Sequence, residues 1–217
     1  GEEWDRIGAV VRALAQAGIP VSVDTYHADT ARLAVEAGAV IINDVTGGAG
    51  DPSMLSTVAG LGCMYVLQHM RGTPDTMNSL ATYKSVPGEV AAELAESIRR
   101  AVGSGIDREN IIVDPGFGFA KNADHNWDLA AHLEAVEALG QPVLIGVSRK
   151  RFLEEVAPDS APQSRDDATA ALTGYFASRG VWGVRVHEVA ASKAAILTTE
   201  RLRAAGAFTD GPSSSSR

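Results

Sequence analysis

The strongest constraint on this chain is an alternation. Short runs rich in Val and Ile recur at Val21–Val23, Val40–Ile42, Met64–Leu67, Ile111–Val113, Val143–Val147 and Val184–Val186, and longer Ala-rich stretches lie between them. Each run is too short for a helix and is apolar at successive positions, the pattern of a strand buried on both faces of a parallel sheet. The intervening stretches have helical spacing. Trp4, Ile7, Val10, Val11 and Leu14 repeat along one face and stop near Gly18. Further helices are predicted over 29–37, 52–60 (with Asp51 as N-cap and Pro52 at the first helical position), 87–102, 126–139, 166–179 and 190–204. Residues 208–217, ending in a serine run, read as a flexible tail after a body of 1–207.

Strand followed by helix, repeated, makes a parallel α/β fold, either a closed barrel or an open doubly wound sheet. The strand ends separate the two. Asp24-Thr25, Asn43-Asp44, Gln68-His69, Asp114-Pro115, Ser148-Arg149-Lys150 and Arg185 with His187 put polar groups at the end of every run. A barrel enzyme gathers its chemistry from many strand ends on one rim, whereas an open sheet concentrates it at a switch point. The reading is therefore a (β/α)8 TIM barrel. Six of its strand–helix units, strands 3 to 8, are legible, and two more strands are expected on the N-terminal side.

Composition bears on partners. A formal net charge of -8 argues against general nucleic-acid or anionic-membrane binding. There is no apolar run of membrane-spanning length. The single cysteine, Cys63, excludes an intramolecular disulfide, which fits a reducing compartment.

Asp or Asn at one strand end commonly caps a turn. At three strand ends together, Asp24, Asn43 and Asp114 suit a ring whose edge carries an amino group and N–H donors beside a carbonyl. Lys150 follows a strand and precedes an expected helix start, where free N–H groups can receive an anion. Arg185 and His187 alternate along the last run and so share a side; an Arg buried there needs an anion. A structural ion pair is the competing reading. Phe119 is an aromatic in a Gly-rich loop and can wall a flat slot, while Met70 can line a pocket or fill core. His125 and His132 read as surface helix residues, and no His/Cys/Asp cluster has zinc-like spacing.

Six blocks carry a specific likeness: Ser22-Val23-Asp24-Thr25, Asn43-Asp44-Val45, His69-Met70-Arg71-Gly72-Thr73-Pro74, Asp114 to Lys121 (DPGFGFAK), Ser148-Arg149-Lys150 and Arg185-Val186-His187. In this order they resemble the motifs of the dihydropteroate synthases, over roughly residues 5–200. The resemblance implies an eight-stranded barrel whose first two strand–loop units precede this chain. It implies that Asp24, Asn43, Asp114, Met70 and Lys150 bind the pterin, with Asp114 on the amino-pyrimidine edge. Arg185 and His187 would clamp the diphosphate; 4-aminobenzoate would meet Phe119 and Lys121, with its carboxylate on backbone N–H groups or on Arg151, which stands where many family members have Ser. The catalytic set is then Asp114, Lys150, Arg185 and His187. Magnesium is the implied cofactor, its main protein ligand expected upstream, so no metal ligand is named here. The implied setting is a cytoplasmic homodimer in folate synthesis that is a sulfonamide target. Two departures stand out: His27 where Lys or Arg is usual, and Glu188 where Asp is usual. We expect this chain by itself to be inactive or poorly folded. The alternatives are a non-catalytic pterin-binding paralogue and a pterin-dependent methyltransferase domain.

Overall fold

Six strands and eight α-helices alternate along the residues described in the computed structural model, which are 1–72, 76–157 and 161–208. The order is α1 (Glu2–Gln16), β1 (Ser22–Asp24), α2 (Ala28–Glu36), β2 (Ile41–Asp44), α3 (Met54–Leu61), β3 (Met64–Gln68), α4 (Val86–Gly103), β4 (Ile111–Asp114), α5 (Ala123–Ala131), α6 (Glu134–Glu137), β5 (Leu144–Ile145), α7 (Asp166–Ser178), β6 (Gly183–Val184) and α8 (Val189–Ala204). The chain forms two compact units, Gly1–Leu144 and Ile145–Arg217.

In the first unit β1, β2, β3 and β4 pair in chain order as a parallel sheet. Val113 also bridges Val143 in parallel. Ile42, Tyr65, Leu67, Ile111, Ile112 and Val113 are wholly buried, as expected of strands covered on both faces. Helix α4 shows how the covering works: Val90, Leu94, Ile98 and Ala101 recur at helical spacing and all are buried.

In the second unit the Arg185 N–H donates to the Ile145 carbonyl at 2.8 Å, joining β6 to β5. Helices α7 and α8 pack through small polar residues. Thr169, Thr173, Ser192 and Thr199 are buried there, and the Thr199 hydroxyl donates to the Gly174 carbonyl at 3.2 Å. A closed barrel is not seen among the described residues.

Four expectations need correction. The helix predicted over 126–139 is two helices, broken at His132, which leaves helical geometry at φ -121°, ψ 46°. Helix α3 starts at Met54 because Asp51 makes a local turn, its carboxylate accepting the Ser53 N–H at 2.8 Å and the Ala28 N–H at 2.9 Å. No α-helix follows Lys150; Arg151–Glu155 is a single 3-10 segment. The last two runs shrink to two-residue strands, so Arg185 lies just past β6. Residues 209–217 of the expected tail lie outside the described residues.

Candidate active site

Strand register decides which side chains share a face. Asp24 pairs with Asn43, Asn43 with Val66, and Gln68 with Asp114. Register partners point the same way, and Val66 and Gln68 are two apart on one strand. Asp24, Asn43, Gln68 and Asp114 therefore project from one face at the C-terminal ends of four adjacent strands. Asp24 is exposed and its carboxylate accepts an N–H of the Asn43 amide at 2.9 Å. That bond fixes the amide's orientation and directs Asn43 Oδ1 elsewhere. Asn43, Gln68 and Asp114 are buried, and Asp114 Oδ1 accepts the Gly116 N–H at 2.7 Å.

Asp44 belongs to the opposite face, with Tyr65. Its carboxylate accepts the Tyr65 hydroxyl at 2.7 Å, the Thr46 hydroxyl at 2.6 Å and the N–H groups of Thr46 and Gly48 at 2.8 and 3.0 Å. Burial, then the Asp44 charge, pushes the Tyr65 phenol far up, so it remains a donor. Asp44 anchors the loop after β2 rather than joining the row of four.

The loop after β4 is held from three directions. At Gly116, φ is +69° and an added Cβ would sit 2.0 Å from the His69 carbonyl oxygen, so only glycine is accommodated. The Asn126 amide oxygen accepts the Gly118 N–H at 2.7 Å. Lys121 Nζ donates to the Gly116 and Phe119 carbonyls at 3.1 and 3.2 Å and lies 3.0 Å from His69 Nδ1. Lys121 was expected to meet 4-aminobenzoate from the rim; it is buried instead and its ammonium fastens this loop. Phe117 is wholly buried, and Phe119 is half-buried.

His69 continues the chain of contacts. With Nδ1 receiving an ammonium proton, Nε2 carries the hydrogen and donates to Glu93 at 3.0 Å. Burial, helped by the charges of Lys121 and Arg71, lowers the His69 pKa to about 4 against the opposing pull of Glu93. The Glu93 carboxyl is held at about 2, first by His69 and then by Arg71. Arg71 also donates to Glu89 at 2.8 Å and to the Thr82 carbonyl at 2.7 Å, and its guanidinium lies 3.8 Å from the Tyr83 ring centre. His69 and Arg71 thus anchor the loop after β3 to α4. Met70 is half-buried between His69 and Arg71, and Thr73 and Pro74 lie outside the described residues.

The second unit gathers the other predicted residues. Gly146, Ser148, Lys150, Arg185, Val186 and His187 line one cavity. The Ser148 oxygen accepts the His187 backbone N–H at 3.1 Å and lies 2.9 Å from His187 Nδ1, which fixes the imidazole ring beside the strand end. Arg185 was expected to be buried on a strand; it is exposed, as is His187. A buried-cation argument therefore does not apply to Arg185, and the shared cavity replaces it. Arg149 makes a bidentate pair with Asp166, Nε and Nη2 each donating at 2.8 Å. Arg151 is exposed at the start of its 3-10 segment, which is too short to present a helix dipole to a carboxylate.

Sequence reasoning missed Gln68 and Ser148 as site residues. Both were visible as polar residues closing an apolar run, but only register and the His187 contact give them a direction. The two departures have local explanations. His27 Nδ1 lies 2.9 Å from Glu3, which also accepts the Thr25 hydroxyl at 3.0 Å. Glu188 caps α8 by accepting the Ala190 and Ala191 N–H groups at 3.0 and 2.7 Å.

Among the described residues no group of three or more His, Cys, Asp or Glu side chains is arranged to hold a metal ion. No helix there is long and apolar enough to cross a membrane.

The pterin-binding enzyme family matches residues 1–187. A dihydropteroate synthase of Mycobacterium leprae is 44% identical over 88% of this chain and 69% of that protein. The chain belongs to the dihydropteroate synthases. Within that family, a Streptococcus pyogenes dihydropteroate synthase is 36% identical over 93% of this chain and 74% of its own length. The Xanthomonas albilineans dihydropteroate synthase solved with 7,8-dihydropteroate superposes at a TM-score of 0.86 and 39% identity, covering 94% of this chain and 74% of that one. The Yersinia pestis dihydropteroate synthase in complex with a sulfonamide drug gives 0.89 at 35% identity, covering 94% and 74%. These likenesses assign the six strand–helix units to the TIM-barrel fold of the dihydropteroate synthases.

Proposed function

We propose that the residues of this chain belong to a site for the transfer chemistry of the dihydropteroate synthases, which joins (7,8-dihydropterin-6-yl)methyl diphosphate to 4-aminobenzoate and is completed by segments outside this chain. The carbon–oxygen bond to the diphosphate breaks and the electron pair leaves with it. The aromatic amine forms the new carbon–nitrogen bond and then loses one proton, giving 7,8-dihydropteroate. The observation that carries this reading is the row of Asp24, Asn43 and Asp114 on one sheet face. Carboxylates and an amide aimed one way complement a pterin edge and reject rings lacking its donors, because their own polar atoms would go unpaired.

In this reading Asp114 holds the amino-pyrimidine edge and stabilises charge developing on the methylene carbon. Lys150 supplies a cation toward the ring carbonyl. Arg185 and the His187 imidazole take the diphosphate in the cavity they line. Phe119 offers a ring face to 4-aminobenzoate, and Arg151 a guanidinium to its carboxylate; Lys121 serves by holding the Phe119 loop. The amine already carries its lone pair, so positioning and electrostatics supply most of the catalysis. Magnesium would neutralise the diphosphate charge. The described residues provide no cluster for it, and no step here runs through it. A cytoplasmic homodimer completes the proposal.

Calorimetry with the dihydropterin diphosphate tests the assignment. Asp114→Ala and Arg185→Met should each weaken binding about tenfold or more, the loss expected for a hydrogen bond to a charged group. Unchanged binding in both variants overturns it. Methyl transfer from methyltetrahydrofolate would favour the methyltransferase reading. Robust diphosphate release by the chain alone would refute its expected inactivity.

A further inference from the structure

Two buried polar atoms on the row of four have no hydrogen-bond partner among the described residues: Asn43 Oδ1 and Gln68 Nε2. Their residues are only 3% and 5% exposed. Leaving such groups unpaired costs folding free energy, so a ligand that pairs them is the natural complement. Asn43 Oδ1 is an acceptor and Gln68 Nε2–H is a donor. Asp114, the register partner of Gln68, adds a second acceptor on its other side. Across β2, β3 and β4 the sheet thus presents acceptor, donor, acceptor. The complementary ligand edge reads donor, acceptor, donor.

A 7,8-dihydropterin has such an edge: its 2-amino group, ring nitrogen N1 and N8–H, in that order. Its carbonyl does not qualify, because it is flanked by N3–H on one side and the acceptor N5 on the other. We propose that Gln68 is a specificity-determining residue whose Nε2–H donates to N1 of the dihydropterin, between Asp114 on the amino group and Asn43 Oδ1 on N8–H. This rests on the pterin-binding reading above and adds a residue to it. Oxidation of the ring would turn N8 into an acceptor facing Asn43 Oδ1, so the same row favours the dihydro form.

The test crosses one side-chain change with one ligand change. The probes are 6-hydroxymethyl-7,8-dihydropterin and its 1-deaza analogue, in which N1 is replaced by C–H; the variant is Gln68→Met. The unaltered chain should prefer the parent compound by about tenfold. In Gln68→Met that preference should shrink below about twofold, because the apolar side chain no longer distinguishes N from C–H. The variant should melt no lower than the parent chain, since it removes an unpaired buried amide. Equal binding of both probes by the unaltered chain, or full discrimination retained in Gln68→Met, overturns the assignment. The arm on the unaltered chain decides alone where the variant does not fold. Failure of the unaltered chain, shown to be folded by a cooperative melting transition, to bind either probe overturns the pterin reading and this inference with it. Binding with unaltered discrimination overturns only the role of Gln68.

Discussion

Replacing His69 by Gln should flatten the acid side of the stability profile. His69 is 3% exposed, and its folded pKa is about 4 against an ordinary value of 6.5. A depressed histidine pKa means that the unfolded chain takes up a proton near pH 6.5 that the folded chain refuses until near pH 4. The stabilisation is full above the unfolded value and is lost as pH falls toward the folded one. Between about pH 7.5 and pH 5 the loss works out to about 2 kcal/mol, at roughly 1.4 kcal/mol per pH unit below the unfolded pKa. That is about 4–8 °C in melting temperature for a chain of this size. Glu93, held at about 2, loses its contribution only below the carboxylate range and so falls outside the window. The raised pKa of His132 acts with the opposite sign but is common to both proteins and cancels. Denaturant unfolding at the two pH values, for the parent chain and for His69→Gln, is the assay. The gap between the two proteins should narrow by about 2 kcal/mol on acidification. An unchanged gap would show that His69 is not buried neutral, and the Lys121–His69–Glu93 chain would fall with it.

Two further outcomes follow from buried contacts. Tyr65→Phe removes a hydroxyl that donates at 2.7 Å to a wholly buried carboxylate. With three other donors left on Asp44, the cost should be about 1.5 kcal/mol, read as a fall in denaturation midpoint; no fall would mean that the phenol is not a partner of Asp44. Gly116→Ala must hold a side chain at positive φ and push its Cβ off the His69 carbonyl. It should cost about 3 kcal/mol and speed hydrogen exchange over residues 116–121, and a variant as stable and protected as the parent would refute the tight packing of that loop.

The sequence by itself determined the class of fold. Runs such as Ile111–Val113 are apolar at every position because strands buried on both faces leave no solvent side to mark, and the helices between them show their period in residues such as Val90, Leu94 and Ile98. It also named the polar strand ends, because polar groups closing every run recur more often than turn capping alone requires. Tertiary structure decided what those residues do. Neighbours in the chain take opposite faces of a strand, so Asn43 joins the row of Asp24, Gln68 and Asp114 while Asp44 anchors a loop, a distinction that rests on register alone. Lys121 reads as a free cation until His69 and two carbonyls surround it. Gln68 acquires significance only when its strand is set beside Asp114. Local pattern reports which surfaces are apolar; partners dozens of residues away fix the direction and pairing of each polar group, and that information exists only once the strands are aligned.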